Sequence, residues 1–165
     1  MTRDATETRQ AGEVRRIGAL IIGDEILSGK RRDKHLVKLI ELLAERGLAL
    51  SWARYIGDDH EMLADALEQS FATPDLVFAF GGIGATPDDV TRQATAQALG
   101  RPLLLHPEAA RLIAERCAET AREGKGSADM TLPENRQRLK MGEFPEGATI
   151  IPNAVNRIPG FGVDD

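Results

Sequence analysis

The sequence predicts an α/β domain built on a mostly parallel sheet, and three observations carry that expectation. Residues 15–23 and Leu76–Phe80 are apolar on successive rather than alternate positions, the pattern of strands covered on both faces. Leu36, Leu39, Ile40 and Leu43 repeat at i, i+3, i+4 and i+7, as the buried stripe of an amphipathic helix does. Strand-like and helix-like segments then alternate three times, which implies βαβ units with right-handed crossovers.

Taken in order, RRIGALIIG (15–23) is the first strand, and a polar, glycine-containing stretch (24–34) follows it. The first helix has Gly47 where a C-terminal glycine is expected. Residues 48–56 read as a second strand, less apolar and so nearer a sheet edge, before GDD (57–59) interrupts it. Met62, Leu63, Ala66 and Leu67 give the next helix its buried face. After a turn signal at Thr73-Pro74, Leu76–Phe80 is the strongest buried-strand signal in the chain. Helices are expected over 89–99, closed by Gly100, and over 108–123. The stretch 123–129 (EGKGSAD) is flexible in composition, and the short apolar piece Thr149–Ile151 precedes a polar, proline-containing tail, NAVNRIPGFG. Internal repeats and low-complexity tracts are absent.

The 165 residues fit one domain with a self-sufficient core. An apolar content of 42% and a charged content of 28% are those of an ordinary globular protein. Asp and Glu number 26 against 21 Lys and Arg, a net charge of −5, and there is no long basic run, so nucleic acid is not an expected partner. The single Cys117 has no cysteine to pair with and falls at helical spacing with Ala109, Leu112 and Ile113, as a buried core thiol would. That agrees with a cytoplasmic setting. No apolar run approaches the ~20 residues that cross a bilayer, so no membrane partner is expected. Residues 1–14 read as a disordered lead-in and 15–165 as a single domain.

Ligands of open parallel sheets sit beyond the carboxyl ends of the strands, where loops converge. Those loops here are GDEILSG (23–29), GDD (57–59) and GGIGATPDDVT (81–91), each with glycine and acid. Gly81, Gly82 and Gly84 allow positive φ and a close approach of backbone amides to phosphate oxygens. The following helix start adds free amides and the positive end of its dipole, and the Thr86 and Thr91 hydroxyls are further donors. A plain turn competes with this reading, because Thr86-Pro87-Asp88-Asp89 fits a capping box with proline at the first helical position. The turn explains Thr86 and one acid, but not both acids and three glycines.

Carboxylates beside an anion cradle repel a phosphate unless a cation stands between them, which points to a hard divalent ion such as Mg²⁺ with Asp24, Asp58 and Asp89 as candidate ligands. Asp59, before His60-Glu61, reads as a helix cap. His35 and His106 have no partner at ligand spacing and read as surface or packing residues. No Ser or Cys nucleophile context is present, and Gly23-Asp24-Glu25 lacks the GxGxxG spacing, which disfavours hydride transfer.

Together, GDEILSG, GDD, GGIGATPDDVT and the closing IPGF resemble the molybdopterin-binding domain of the MoaB/Mog type. The branch most similar is the one at the N-terminus of competence/damage-inducible protein A (CinA-type proteins). The resemblance spans about residues 16–161 and implies a three-layer α/β/α fold with a mostly parallel sheet, assembled as a trimer or dimer. It further implies a phosphorylated ligand, molybdopterin or an adenine nucleotide, bound with Mg²⁺ or another divalent metal. Two chemistries follow: adenylyl transfer to molybdopterin in molybdenum cofactor biosynthesis, or CinA-like pyrophosphatase action on ADP-ribose and related dinucleotides. By motif position, Asp58 and Asp89 are the two essential aspartates and tentative metal ligands. The substrate contacts implied are Gly23, Asp24, Glu25, Ser28, Gly81, Gly82, Gly84, Thr86, Asp88 and Thr91, with Asn153, Pro159 and Gly160 on the far wall.

Several positions depart from the family pattern. Asp33-Lys34-His35 replaces Asp-Thr-Asn, Ala85 stands where proline is frequent, and Asn156-Arg157 replaces Gly-Thr. These suggest a stand-alone subgroup with an altered substrate. The chain stops just past IPGF, where relatives continue, so a C-terminal truncation is part of the expectation. A non-catalytic pterin- or nucleotide-binding module is the alternative reading, and an assembly scaffold with no ligand is a third.

Overall fold

The computed structural model describes residues 16–164; the expected lead-in lies outside them. Strand β1 (Ile17–Ile22) is the centre of a three-stranded parallel sheet of order β2-β1-β3, flanked by β2 (Trp52–Ile56) and β3 (Leu76–Phe80). The register sets Ile21 beside Tyr55 on one side and Phe80 on the other. Helices α1 (Asp24–Leu27), α2 (His35–Ala44), α3 (His60–Phe71) and α4 (Thr91–Leu99) follow the strands.

Every residue of β1 is buried because helices cover both of its faces. On one face Leu20 and Ile22 pack with Leu63, Ala64 and Leu67 of α3 and Ala94 of α4. On the other, Ile17 and Ala19 meet Leu39 and Leu43 of α2, while Ile40 lies on the flank of that stripe and is 46% exposed. The result is the three-layer α/β/α arrangement that the motifs imply. Asp59 caps α3, accepting from the Met62 amide at 2.8 Å.

β3 departs from the sequence expectation. It is the free edge of the sheet among the described residues, with Leu76 50% exposed and Phe80 only partly buried. A continuous apolar run records how much a strand can bury, whereas the neighbours decide how much is covered.

The second half forms two antiparallel pairs in place of further parallel strands. β4 (Leu103–Leu105) pairs with β5 (Glu143–Pro145), and β6 (Thr149–Ile151) pairs with β7 (Gly160–Gly162). Between β4 and β5 the chain runs through α5 (Pro107–Arg122) and α6 (Pro133–Leu139). Cys117 is 2% exposed on the same face of α5 as Ala109 and Ile113, as its spacing predicts. The polar, proline-containing tail supplies the turn and strand β7, which pairs back on the apolar piece Thr149–Ile151 as the β6–β7 hairpin. It is held by Phe161, whose ring stacks on Phe144 with centroids 4.8 Å apart. His106 caps α5, and His35 stacks on Phe80, so both histidines have the packing and surface roles expected of them. Among the described residues no helix is long and apolar enough to cross a membrane.

Asp33, which precedes the departing Lys34-His35, anchors the start of α2. Its carboxylate accepts from the His35 amide at 2.7 Å, the Leu36 amide at 3.2 Å and the Tyr55 hydroxyl at 3.0 Å. Burial pushes its pKa up, but these hydrogen bonds and the nearby His35 outweigh that and hold it below the ordinary carboxylate value. A lowered folded pKa stabilises above the unfolded value and loses that effect as pH falls through the folded one. Asp33→Ala is therefore expected to cost about 1 kcal/mol at pH 7. The gap from wild type should close as pH drops below about 4, read from urea midpoints measured at several pH values.

Candidate functional site at the carboxyl ends of the parallel strands

Because the three strands are parallel, the loops after β1, β2 and β3 emerge at one end of the sheet. Gly23, with φ of 147°, donates its amide to the Ile56 carbonyl at 3.0 Å and ties the ends of β1 and β2 together. Asp24 and Asp58 then bond reciprocally. The Asp24 amide donates to Asp58 Oδ2 at 2.9 Å, and the Asp58 amide donates to Asp24 Oδ1 at 3.2 Å. A Cβ at Gly57 would stand 2.4 Å from Asp24 Oδ1, so glycine is what lets the two loops meet. Each carboxylate gives one oxygen to the other's backbone, and its second oxygen has no hydrogen-bond donor among the described residues. Glu25 lies 3.5 Å from Arg31, and Ser28 is the exposed C-cap of the one-turn α1.

The glycine loop after β3 is packed differently from the expectation. At Gly81 (φ 110°) a Cβ would stand 2.1 Å from the Ile22 carbonyl oxygen, and at Gly82 (φ 63°) it would stand 2.4 Å from Thr91 Oγ1. At Gly84 it would stand 2.4 Å from Asp89 Oδ2. The missing side chains thus seat the loop on β1, on α4 and on its own carboxylate, where the sequence reading has them admit a ligand. Thr91 is buried, its hydroxyl donating to the Gly81 carbonyl at 2.9 Å and its amide to the Gly82 carbonyl at 3.0 Å. It holds the loop from beneath, which corrects its placement as a ligand contact.

Thr86-Pro87-Asp88-Asp89 closes a turn ahead of the helix, and α4 starts at Thr91, two residues later than expected. The Asp89 amide donates to the Thr86 carbonyl at 3.0 Å, while the Thr86 amide donates back to Asp89 Oδ2 at 2.9 Å. The Thr86 hydroxyl donates to the same oxygen. Burial raises the Asp89 pKa, but bonds from the Thr86 hydroxyl, the Thr86 and Gly84 amides and the charge of Arg92 bring it below the ordinary value. Asp89 is therefore ionised at neutral pH, and it sits on amides that the sequence reading assigns to phosphate. Asp88 is exposed in the turn.

Asn153, Pro159 and Gly160 make no hydrogen bond to the three loops among the described residues. Asn153 Oδ1 accepts from the Val155 and Asn156 amides within its own turn, Pro159 is fully buried, and Gly160 pairs with Ile151. Their hairpin packs through Phe161 on the core of α5 and β5, and Arg157 adds an ion pair to Glu119 of α5 at 2.7 Å. Asp24, Asp58 and Asp89 likewise do not form a set: among the described residues no three His, Cys, Asp or Glu side chains are gathered closely enough to hold a metal. Two residues absent from the sequence reading complete the site. Arg92, 2% exposed, donates Nη1 to the carbonyls of Ile83 and of Gly84, the latter at 2.8 Å. Gln137, from α6, donates to the Ala85 carbonyl. Arg92 follows the glycine loop closely enough to have been suspected, but nothing local marks Gln137, 52 residues away.

Residues 18–152, which include all three loops, match the family described as a probable molybdopterin binding domain. The chain belongs to this molybdopterin-binding domain family. Within it, a CinA-like protein from Anaeromyxobacter sp. is 37% identical over 144 residues, 87% of this chain and 33% of that protein. A putative competence-damage inducible protein from Alkaliphilus metalliredigens is 32% identical over 146 residues, 88% of this chain and 33% of that protein. The chain thus spans about a third of the length of the curated relatives it matches. The solved structure of the protein CinA, of unknown function, from Thermoplasma acidophilum is similar with a TM-score of 0.71 at 28% identity. That similarity covers 89% of this chain and 80% of that one, so the molybdopterin-binding domain has its α/β/α fold in common with a CinA protein.

Proposed function

We propose that this domain binds a phosphorylated adenine nucleotide or pterin across the three strand-end loops and acts at its phosphoryl group. Cleavage of a dinucleotide pyrophosphate such as ADP-ribose is the leading activity, favoured over adenylyl transfer to molybdopterin by similarity to CinA-like proteins. The observation that carries the reading is the reciprocal Asp24–Asp58 pair, locked at the sheet end where the Asp89 loop also emerges.

A divalent ion fits the donor set. Mg²⁺ is commonly held by one or two carboxylates with substrate phosphates and water completing the shell, and Asp24 and Asp58 each retain one oxygen. When bound there, the ion would neutralise phosphate charge. Asp89 has both Thr86 bonds on Oδ2, and in this reading its carboxylate accepts a proton from, and so orients, an attacking water. The Ala85 amide, which carries no hydrogen bond among the described residues, is a donor for a phosphate oxygen.

Incubation with ADP-ribose or FAD and Mg²⁺ is expected to release AMP; no AMP from either would defeat the pyrophosphatase reading. A second reading, a binding module without turnover, is favoured by the engagement of Asp89 with its own loop. Calorimetry beside the turnover assay separates the two, since tight binding of nucleotide or molybdopterin without product supports the module.

A further inference from the structure

The carbonyl side of the glycine loop is gripped by two side chains that the proposed chemistry does not use. Arg92 Nη1 takes the carbonyls of Ile83 and Gly84, and Gln137 Nε2 takes that of Ala85. Peptide groups are planar and trans, so the C=O of one residue and the N–H of the next point opposite ways. Holding the Ile83 carbonyl fixes the Gly84 N–H, and holding the Ala85 carbonyl fixes the Thr86 N–H. The Thr86 N–H donates to the Asp89 carboxylate, and Gly84 lies against the same oxygen, where a Cβ would stand 2.4 Å from Asp89 Oδ2.

Arg92 is unusual for a residue doing only this. An arginine that is almost fully buried is ordinarily paired with an acid, yet no carboxylate lies within ion-pair distance of Arg92 among the described residues, and its buried Nε has no partner. Asp89 and Glu143 bear on it only through space. The loop is thus layered, with the guanidinium behind the peptide planes and the carboxylate in front.

We propose that Arg92 and Gln137 are positioning residues for Asp89, acting through the peptide planes of the glycine loop to hold its carboxylate in place. The inference rests on the reading that Asp89 acts on a bound phosphoryl ligand, but its central claim concerns the free protein. α6 thereby enters the site from the second half of the chain, and Gln137 couples that half to the loop.

The test compares wild type with Arg92→Lys and Gln137→Met, the second chosen because Gln137 is exposed and its replacement does not threaten the core. In ligand-free protein, amide hydrogen exchange at Thr86 and Asp89 should quicken at least tenfold in both variants, while amides of β1 keep wild-type rates. With ADP-ribose and Mg²⁺, kcat should fall at least tenfold in Gln137→Met with KM within about twofold, because a displaced Asp89 impairs the reaction more than binding. Wild-type exchange at Thr86 and Asp89 in both variants overturns the proposal, whatever the turnover. Faster exchange together with wild-type kcat in Gln137→Met also overturns it, since the loop would have loosened without consequence for Asp89. If wild type releases no AMP at all, the pyrophosphatase reading fails, and the exchange result still decides whether the clamp holds the loop.

Discussion

Asp89→Asn is expected to lower AMP release from ADP-ribose by at least about a hundredfold, the scale on which a positioned acid–base group contributes. Asparagine is nearly isosteric and its carbonyl oxygen can accept from both the Thr86 N–H and the Thr86 hydroxyl, so the Thr86 to Asp89 turn should persist. What disappears is the negative charge that orients water, and the second oxygen becomes an amino group that cannot accept, while both Thr86 bonds fall on the oxygen that asparagine keeps. Hydrogen bonds to charged groups are worth about 1.5–3 kcal/mol, so some loss of stability accompanies the loss of turnover. A partly exposed loop should lie at the low end of that range. Rate and unfolding midpoint are measured on the same preparation, and a wild-type rate would remove Asp89 from the chemistry. Because Asp89 is held below the ordinary carboxylate pKa, its protonation should not limit turnover anywhere near neutral pH.

Gly81→Ala is expected to be the most damaging single methyl in the site. The new Cβ would stand 2.1 Å from the Ile22 carbonyl oxygen, a backbone atom that cannot swing away, at a φ of 110° that side-chain-bearing residues rarely adopt. Strain of this kind costs about 1–3 kcal/mol, and overpacking adds about 1–3 kcal/mol. Against a domain stability of about 5–15 kcal/mol, that is enough to unseat the loop and lower the urea midpoint sharply. Gly29→Ala is the matched control. Its φ is 74°, and a Cβ there would meet nothing within 4 Å, so it should show the backbone strain alone, about 1 kcal/mol. Equal midpoints for the two variants would refute the close approach of the loop to β1.

The correspondence between sequence and structure differs along the chain for identifiable reasons. β1 and the helices α2, α3 and α5 announce themselves because burial repeats at the period of the element, as at Leu39 and Leu43 or Ala109, Ile113 and Cys117. The three loops were legible as a cluster because parallel topology alone sends them to one end of the sheet. The start of α4 was misplaced because Thr86 and Asp89 carry a capping-box pattern that here closes an independent turn. β4, β5 and β7 are three residues each, too short for any periodicity, and their pairings join positions such as Leu104 and Phe144, 40 residues apart. β3 has the composition of a central strand and the position of an edge.

By itself the sequence determined the α/β class, the central strand, the family and the three acidic glycine loops, because each is written in local spacing or in a contiguous motif. Only the tertiary structure decided what those motifs touch. It placed Asp24 and Asp58 on each other's amides, turned the glycines toward Ile22, Thr91 and Asp89, and set Asn153, Pro159 and Gly160 in a hairpin on α5. It also brought Arg92 and Gln137 behind the loop. Contacts of that kind are fixed by close packing and by the directions of individual peptide planes, and neither leaves a period in the chain.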